Sequence, residues 1–252
     1  MTARTLFLQP SLSEYIGARR QAALDEARRL DDQALLYEDL TVLAGRLAER
    51  HRLVTPALER PVIDGPRSIV LSPQDLRGLP GLFSLGLPVP REGYRGTQLR
   101  VLVPFQGTAE LFEYRPSHFS TTPPYAQLDK AGHQLVFTDR FLEGQYNPAA
   151  YLPTVASKTE PFGWWLAQVE AEVRPYNEGL PQRILTMLEE RRGQLTETLR
   201  QAERHGLAST FDPARVARHL VEPRERGELS PLRTHSCRSP SRPPFSRSGI
   251  TP

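Results

Sequence analysis

The sequence predicts an α+β fold: a helical N-terminal arm, a small and mainly antiparallel sheet, C-terminal helices and a disordered tail. Three observations carry this. Apolar residues recur at helical spacing over 11–53 and again over 162–206, they alternate at strand spacing near 99–105, and aliphatic residues almost vanish after 223. The 252 residues suffice for one sizeable core and an appendage. Hydrophobic residues make up only 38%, and the 24 prolines are about twice the background frequency, so long loops or an unstructured stretch are expected.

The arm comes first. Ser11 and Glu14 have the spacing of a capping box, in which hydroxyl and carboxylate satisfy each other's free backbone donors. Behind them Ile16, Ala23, Ala27 and Leu30 lie along one stripe, and Leu36, Leu40, Leu43 and Leu47 along a second. Asp31-Asp32 between the stripes marks a cap or a bend, giving two helices or one bent one. Two readings stay open: a helical hairpin packed on a core, or a coiled-coil arm that makes a homodimer.

From Thr55 to Pro90 prolines recur too often for helix or central strand. Ser68–Leu71 reads as a short strand, and 78–96 as a loop lying on the core through Leu82, Phe83, Leu85 and Leu87. Leu99–Phe105, Glu110–Arg115 and Gln134–Asp139 read as strands, with turns at 106–108 and 130–132. Helix returns over 162–173 and 177–206. Asn177 fits an N-cap, Pro181 the tolerated first turn, and Gly206 the position just past the end. The face Ile184, Leu188, Leu195, Leu199 and Ala202 is the buried side, with Glu189, Glu190, Arg191 and Arg192 solvated. Phe211–Val221 reads as one more short helix. The organisation is thus an arm (11–53), an α+β core module (55–206) and a Ser/Arg/Pro-rich tail (207–252) with too little apolar surface to offset its ordering entropy.

Composition excludes several classes. A lone cysteine, Cys237, leaves no disulfide framework and no cysteine-based zinc site. No run of about 18 apolar residues provides a membrane span, and the apolar patch near the start is too short for the core of a signal peptide, so a cytoplasmic protein without a membrane partner is expected. The net charge of +3 belongs to the arginines of residues 221–252; residues 1–220 carry as many acidic as basic side chains, which gives no general argument for nucleic-acid binding. Phosphate-cradling glycine loops and a G-x-S-x-G elbow are missing. The six histidines have no spacing that puts two on one helix face, so neither a metal nor another cofactor is assigned.

The densest unusual stretch is Val103–Pro124. Arg115, Ser117 and His118 lie close together there, as an anion or ligand contact would place them. On the bland reading Arg115 pairs with a core carboxylate while Phe105, Phe112 and Phe119 pack inside. Trp164 and Trp165 differ by about 100° around a helix, so one is assigned to the core and the other to a surface or interface. Trp164, Trp165, Arg191 and Arg192 are the candidate interface, and nucleic acid would be met at the Arg-rich tail and the arginines of 191–204. No complete catalytic set is present, so no catalytic residue is assigned; a hydrolase built on Arg115, His118 and a distant carboxylate is the enzymatic alternative.

The run PFQGTAELFEYRPSHFSTTPPYAQLDKAGHQLVF, followed by Phe162-Gly163-Trp164-Trp165-Leu166, Val169, Val173, Tyr176-Asn177, Leu180-Pro181, Glu189, Arg191 and Arg192, resembles an N-terminal domain of large uncharacterised bacterial proteins. In those proteins a restriction-endonuclease-like domain follows. The resemblance spans about 12–206 and rests on the R-P-S-x-F and N-x-x-L-P pieces. It implies a non-catalytic accessory or sensing module of a bacterial defence nuclease. A nuclease of that class needs a [DE]-x-K element holding Mg²⁺. The residues two before the only lysines, Lys130 and Lys158, are Leu128 and Ala156, so that element does not occur in this chain. The tail has the composition of a GC-rich gene read out of frame. A truncated or frameshifted product and a natural short protein are the two readings of it.

Overall fold

The computed structural model describes residues 3–72, 75 and 93–206. The short helix expected over Phe211–Val221, the disordered tail and most of the 78–96 loop with its four apolar anchors lie outside those residues. The described chain is α+β.

The sheet is built around β5, Tyr94–Gln106, whose inward residues Leu99, Val101, Val103 and Phe105 are buried in strict alternation. All its pairings are antiparallel. On one side β5 pairs with β8, Gln134–Leu142, then come β7, Tyr125–Asp129, and β1, Arg4–Thr5. On its other side it pairs with β3, Ala57–Leu58, and with β4, Val62–Leu71. The strand expected over Ser68–Leu71 is therefore ten residues long. Pro66 is accommodated because the register shifts between Asp64 and Arg67, so the residue without an N–H falls at a bulge. β2, Gln9–Ser11, and β6, Tyr114–Arg115, form a separate two-stranded parallel ladder.

The strand expected over Glu110–Arg115 is a correction. Ala109–Phe112 is a 3-10 turn, and only Tyr114–Arg115 is extended. Leu111 and Phe112 are both fully buried, which consecutive residues of a strand with one covered face do not achieve.

The arm consists of three helices: α1, Leu12–Arg28; α2, Asp32–Tyr37; and α3, Leu40–His51. Ser11 caps α1, but its Oγ accepts from Ser13 N–H at 3.2 Å rather than closing a box with Glu14. Asp31 caps α2 and Asp39 caps α3 in the same way. Both apolar stripes of the arm, with Leu30 only partly covered, are buried within the chain, against the helix of Pro148–Arg204.

Two helices were expected at the C-terminal end, and one is present. α4 runs from Pro148 to Arg204, 57 residues, through Pro153, Pro161, Pro175 and Pro181. Each internal proline removes one backbone hydrogen bond and normally kinks or ends a helix. Here one buried stripe continues past them: Tyr151, Val155, Phe162, Leu166, Val169, Val173, Tyr176, Leu180, Ile184 and Leu188, at three- and four-residue steps apart from the seven-residue step between Val155 and Phe162. Asn177 is accordingly inside the helix and caps nothing. Gly206, with φ of 71°, stands just past the end as expected.

The first half of α4 meets the sheet through an aromatic centre. Phe162 lies edge-on to Phe7, Phe112 and Phe137, and Trp165 stacks on Phe7 at 5.1 Å. Phe7 is fully buried with φ of 55°, a conformation costly for a bulky residue. Its N–H donates to Phe112 O at 2.8 Å, and its ring fills the middle of the cluster. The second half of α4 meets the arm.

Candidate functional site

After β6 the chain turns outward at the buried Pro116. Ser117 N–H donates to Glu172 Oε1 of α4 at 2.5 Å, which fixes the 115–119 loop to that helix. Arg115 and His118 are exposed. The Arg115 guanidinium lies 4.9 Å from the centre of the Phe119 ring, a cation–π pair, and among the described residues it has no ion pair. Arg115 thus does not meet a core carboxylate, and Phe119, 53% exposed, is not a core residue; Phe105 and Phe112 are.

Trp165 is in the core. Trp164 is 46% exposed and lies edge-on to Trp165 at 5.4 Å. Trp164 is about two turns before Glu172 on α4, so the loop carrying Arg115, Ser117, His118 and Phe119 is tied to the same stretch of helix that presents Trp164. Leu8, next to the Phe7 that Trp165 stacks on, is exposed as well. It lines an open cleft of about 170 Å³ with Arg4, Thr5, Leu6, Gln9 and Glu113. Neither Arg115 nor His118 lines that cleft. Burial works against the Glu113 carboxylate, yet hydrogen bonds from Lys130, at 2.6 Å, and from Arg4 outweigh it and hold Glu113 below the usual range.

Arg191 is turned toward the arm and Arg192 is half-buried, so neither is freely solvated. Arg191 donates to Ala27 O, at the end of α1, at 3.3 Å and to Asp32 Oδ1 at 2.6 Å. Burial pushes Arg192 down from its ordinary pKa, against the opposing pull of Glu189 and Asp39.

Two polar clusters lie outside the sequence-predicted site residues. At the start of α4 the Tyr151 hydroxyl and the Lys158 ammonium both donate to the Asp139 carboxylate of β8. Burial, and then the bond to Asp139, push the Tyr151 phenol far up. The second cluster lies between α1, α3 and α4. Glu26 accepts from Arg50 and from His51 Nε2, the latter at 2.7 Å; the Tyr176 hydroxyl donates to His51 O at 2.9 Å; Tyr15 stacks on Tyr114 at 4.2 Å. The Arg19 charge acts on Tyr15, Tyr176 and His51. Tyr15, Arg19 and Glu26 share a face of α1 at helical spacing, and that periodicity is the one trace the layer leaves in the sequence. No protein-family model, curated protein or solved structure matches the chain.

Proposed function

We propose that this chain is a non-catalytic protein-binding module, of the kind that the resemblance associates with bacterial defence nucleases. The single observation behind the reading is the exposure of Trp164, Phe119 and Leu8, with Arg115 held against the Phe119 ring, on a body whose aromatic centre is otherwise closed. Exposed tryptophan and arginine around a well-packed support are the residue types that dominate protein interfaces. The balanced charge of residues 1–220 favours a protein over a nucleic acid as the partner. The partner in this reading is a restriction-endonuclease-like domain of the proteins that the sequence resembles.

Titration of the full chain against such a domain, expressed separately, tests this. Saturable binding is expected, weakened about tenfold or more by Trp164→Ala, which corresponds to roughly 1.4 kcal/mol. Absence of binding by the unaltered chain ends the proposal. A mobility shift of DNA at low salt that Trp164→Ala leaves unchanged replaces it with nucleic-acid binding through another face.

A further inference from the structure

We propose that the layer between α1, α3 and α4 is a binding site for a phosphate-type oxyanion, held by Arg19, His51 and Tyr15 and framed by Tyr176. The buried side-chain nitrogen and oxygen atoms that lack a hydrogen-bond partner among the described residues are Arg19 Nε, His51 Nδ1 and Thr55 Oγ1. Two of them belong to this layer, and the third is four residues beyond His51. Folded interiors satisfy nearly all such atoms, and those that a protein leaves open are met by an ordered water or a bound ion.

The chemistry of the unsatisfied groups selects the ligand. Among the described residues no hydrogen bond or ion pair reaches Arg19, and the Glu26 carboxylate of the same helix is taken by Arg50 and His51. A guanidinium presents a planar fork of donors that matches a tetrahedral oxyanion. The Tyr15 hydroxyl has no hydrogen bond among the described residues and adds a donor. The charged groups that face the layer are Arg19, Arg20 and Glu26 of α1 and Arg50 and His51 of α3, with Tyr176 of α4 and, beside Tyr15, Glu110. Positive charge prevails. The His51 side chain is only 12% exposed, so the terminal group of a monoester reaches it while a phosphodiester backbone does not.

His51 makes the site distinctive. Its Nε2 donates to the Glu26 carboxylate, so in the neutral ring Nδ1 is a bare lone pair. A second proton turns Nδ1 into a donor toward the anion. Anion binding and proton uptake by His51 are then linked, each strengthening the other. Free phosphate and the phosphate end of a nucleotide share this chemistry.

The test follows the His51 ring by NMR in the full chain, titrated between pH 5 and 8 at constant ionic strength in chloride, sulfate, phosphate and a nucleoside monophosphate. Sulfate keeps its charge over this range, so any proton taken up belongs to the protein. Sulfate is expected to raise the His51 midpoint by about one unit, equivalent to roughly tenfold tighter binding to the protonated ring. Arg19→Gln should abolish the shift and Arg19→Lys should restore part of it. A monophosphate acting at a tenth of the phosphate concentration identifies a nucleotide, and equal potency identifies free phosphate. If His51 titrates alike in all four salts, or shifts equally in Arg19→Gln, the site is filled by water and the proposal fails. The comparison of salts in the unaltered chain decides the matter even where Arg19→Gln does not fold.

Discussion

The side chain of Asn177 closes both backbone groups of Leu53: Nδ2 donates to Leu53 O at 2.7 Å, and Oδ1 accepts from Leu53 N–H at 3.1 Å. This pair fixes the exit of the arm to the middle of α4. Leu53 is buried, so its peptide groups have no water to fall back on. Asn177→Ala is expected to destabilise the fold by about 2–3 kcal/mol in urea unfolding. A loss below about 0.5 kcal/mol would mean that the bracket is redundant.

The two adjacent tryptophans separate stability from binding. Trp165→Ala should cost about 3–5 kcal/mol, because it empties the space beside Phe7 in the aromatic centre. Trp164→Ala should change stability by less than about 1 kcal/mol while weakening partner binding. Thermal unfolding of both variants, beside the binding titration, checks the contrast.

Gly107 sits at φ of 107°, and a Cβ built there would lie 2.8 Å from Val54 O and 2.9 Å from Thr55 O. Both neighbours are backbone and cannot swing aside. Gly107→Ala should therefore cost more than the roughly 1 kcal/mol of an ordinary glycine replacement, and it should lower the midpoint of thermal unfolding.

His51 gives the fold a pH dependence in chloride. Burial, then Arg19 and Arg50, hold its folded-state pKa below the ordinary 6.5. The unfolded chain therefore binds the proton more readily. The contribution of His51 to stability is complete above pH 6.5 and is lost as the pH falls through the lower folded-state midpoint. Urea midpoints at pH 7.5 and pH 5 should differ, and His51→Gln should reduce the difference.

Much of this architecture is legible in the sequence, for reasons that particular residues make plain. The alternation of Leu99, Val101, Val103 and Phe105 reports a strand with one covered face, and the arm's stripes report helices that bury one side. The unbroken α4 was not legible. The stretch between 173 and 177 reads as a break and Asn177 as a cap, because local rules price a proline by the hydrogen bond it removes. Tertiary packing of Val173, Tyr176 and Leu180 against the arm offsets that cost, and no local signal records it. The outward turn of Arg115 and Phe119 was likewise hidden, since it depends on Ser117 meeting Glu172 fifty-five residues away. The Arg19–His51 layer joins three helices, and only its α1 face has a period.

α4 supplies one wall to two layers: Tyr151, Lys158 and Phe162 serve the sheet, while Tyr176, Asn177 and Arg191 serve the arm. Neither layer has a complete interior without it, so neither can melt ahead of the other. Slow amide protons in the middle of α1 and of β5 should then exchange through one shared global opening. The long proline-bearing helix makes the arm and the sheet a single cooperative unit.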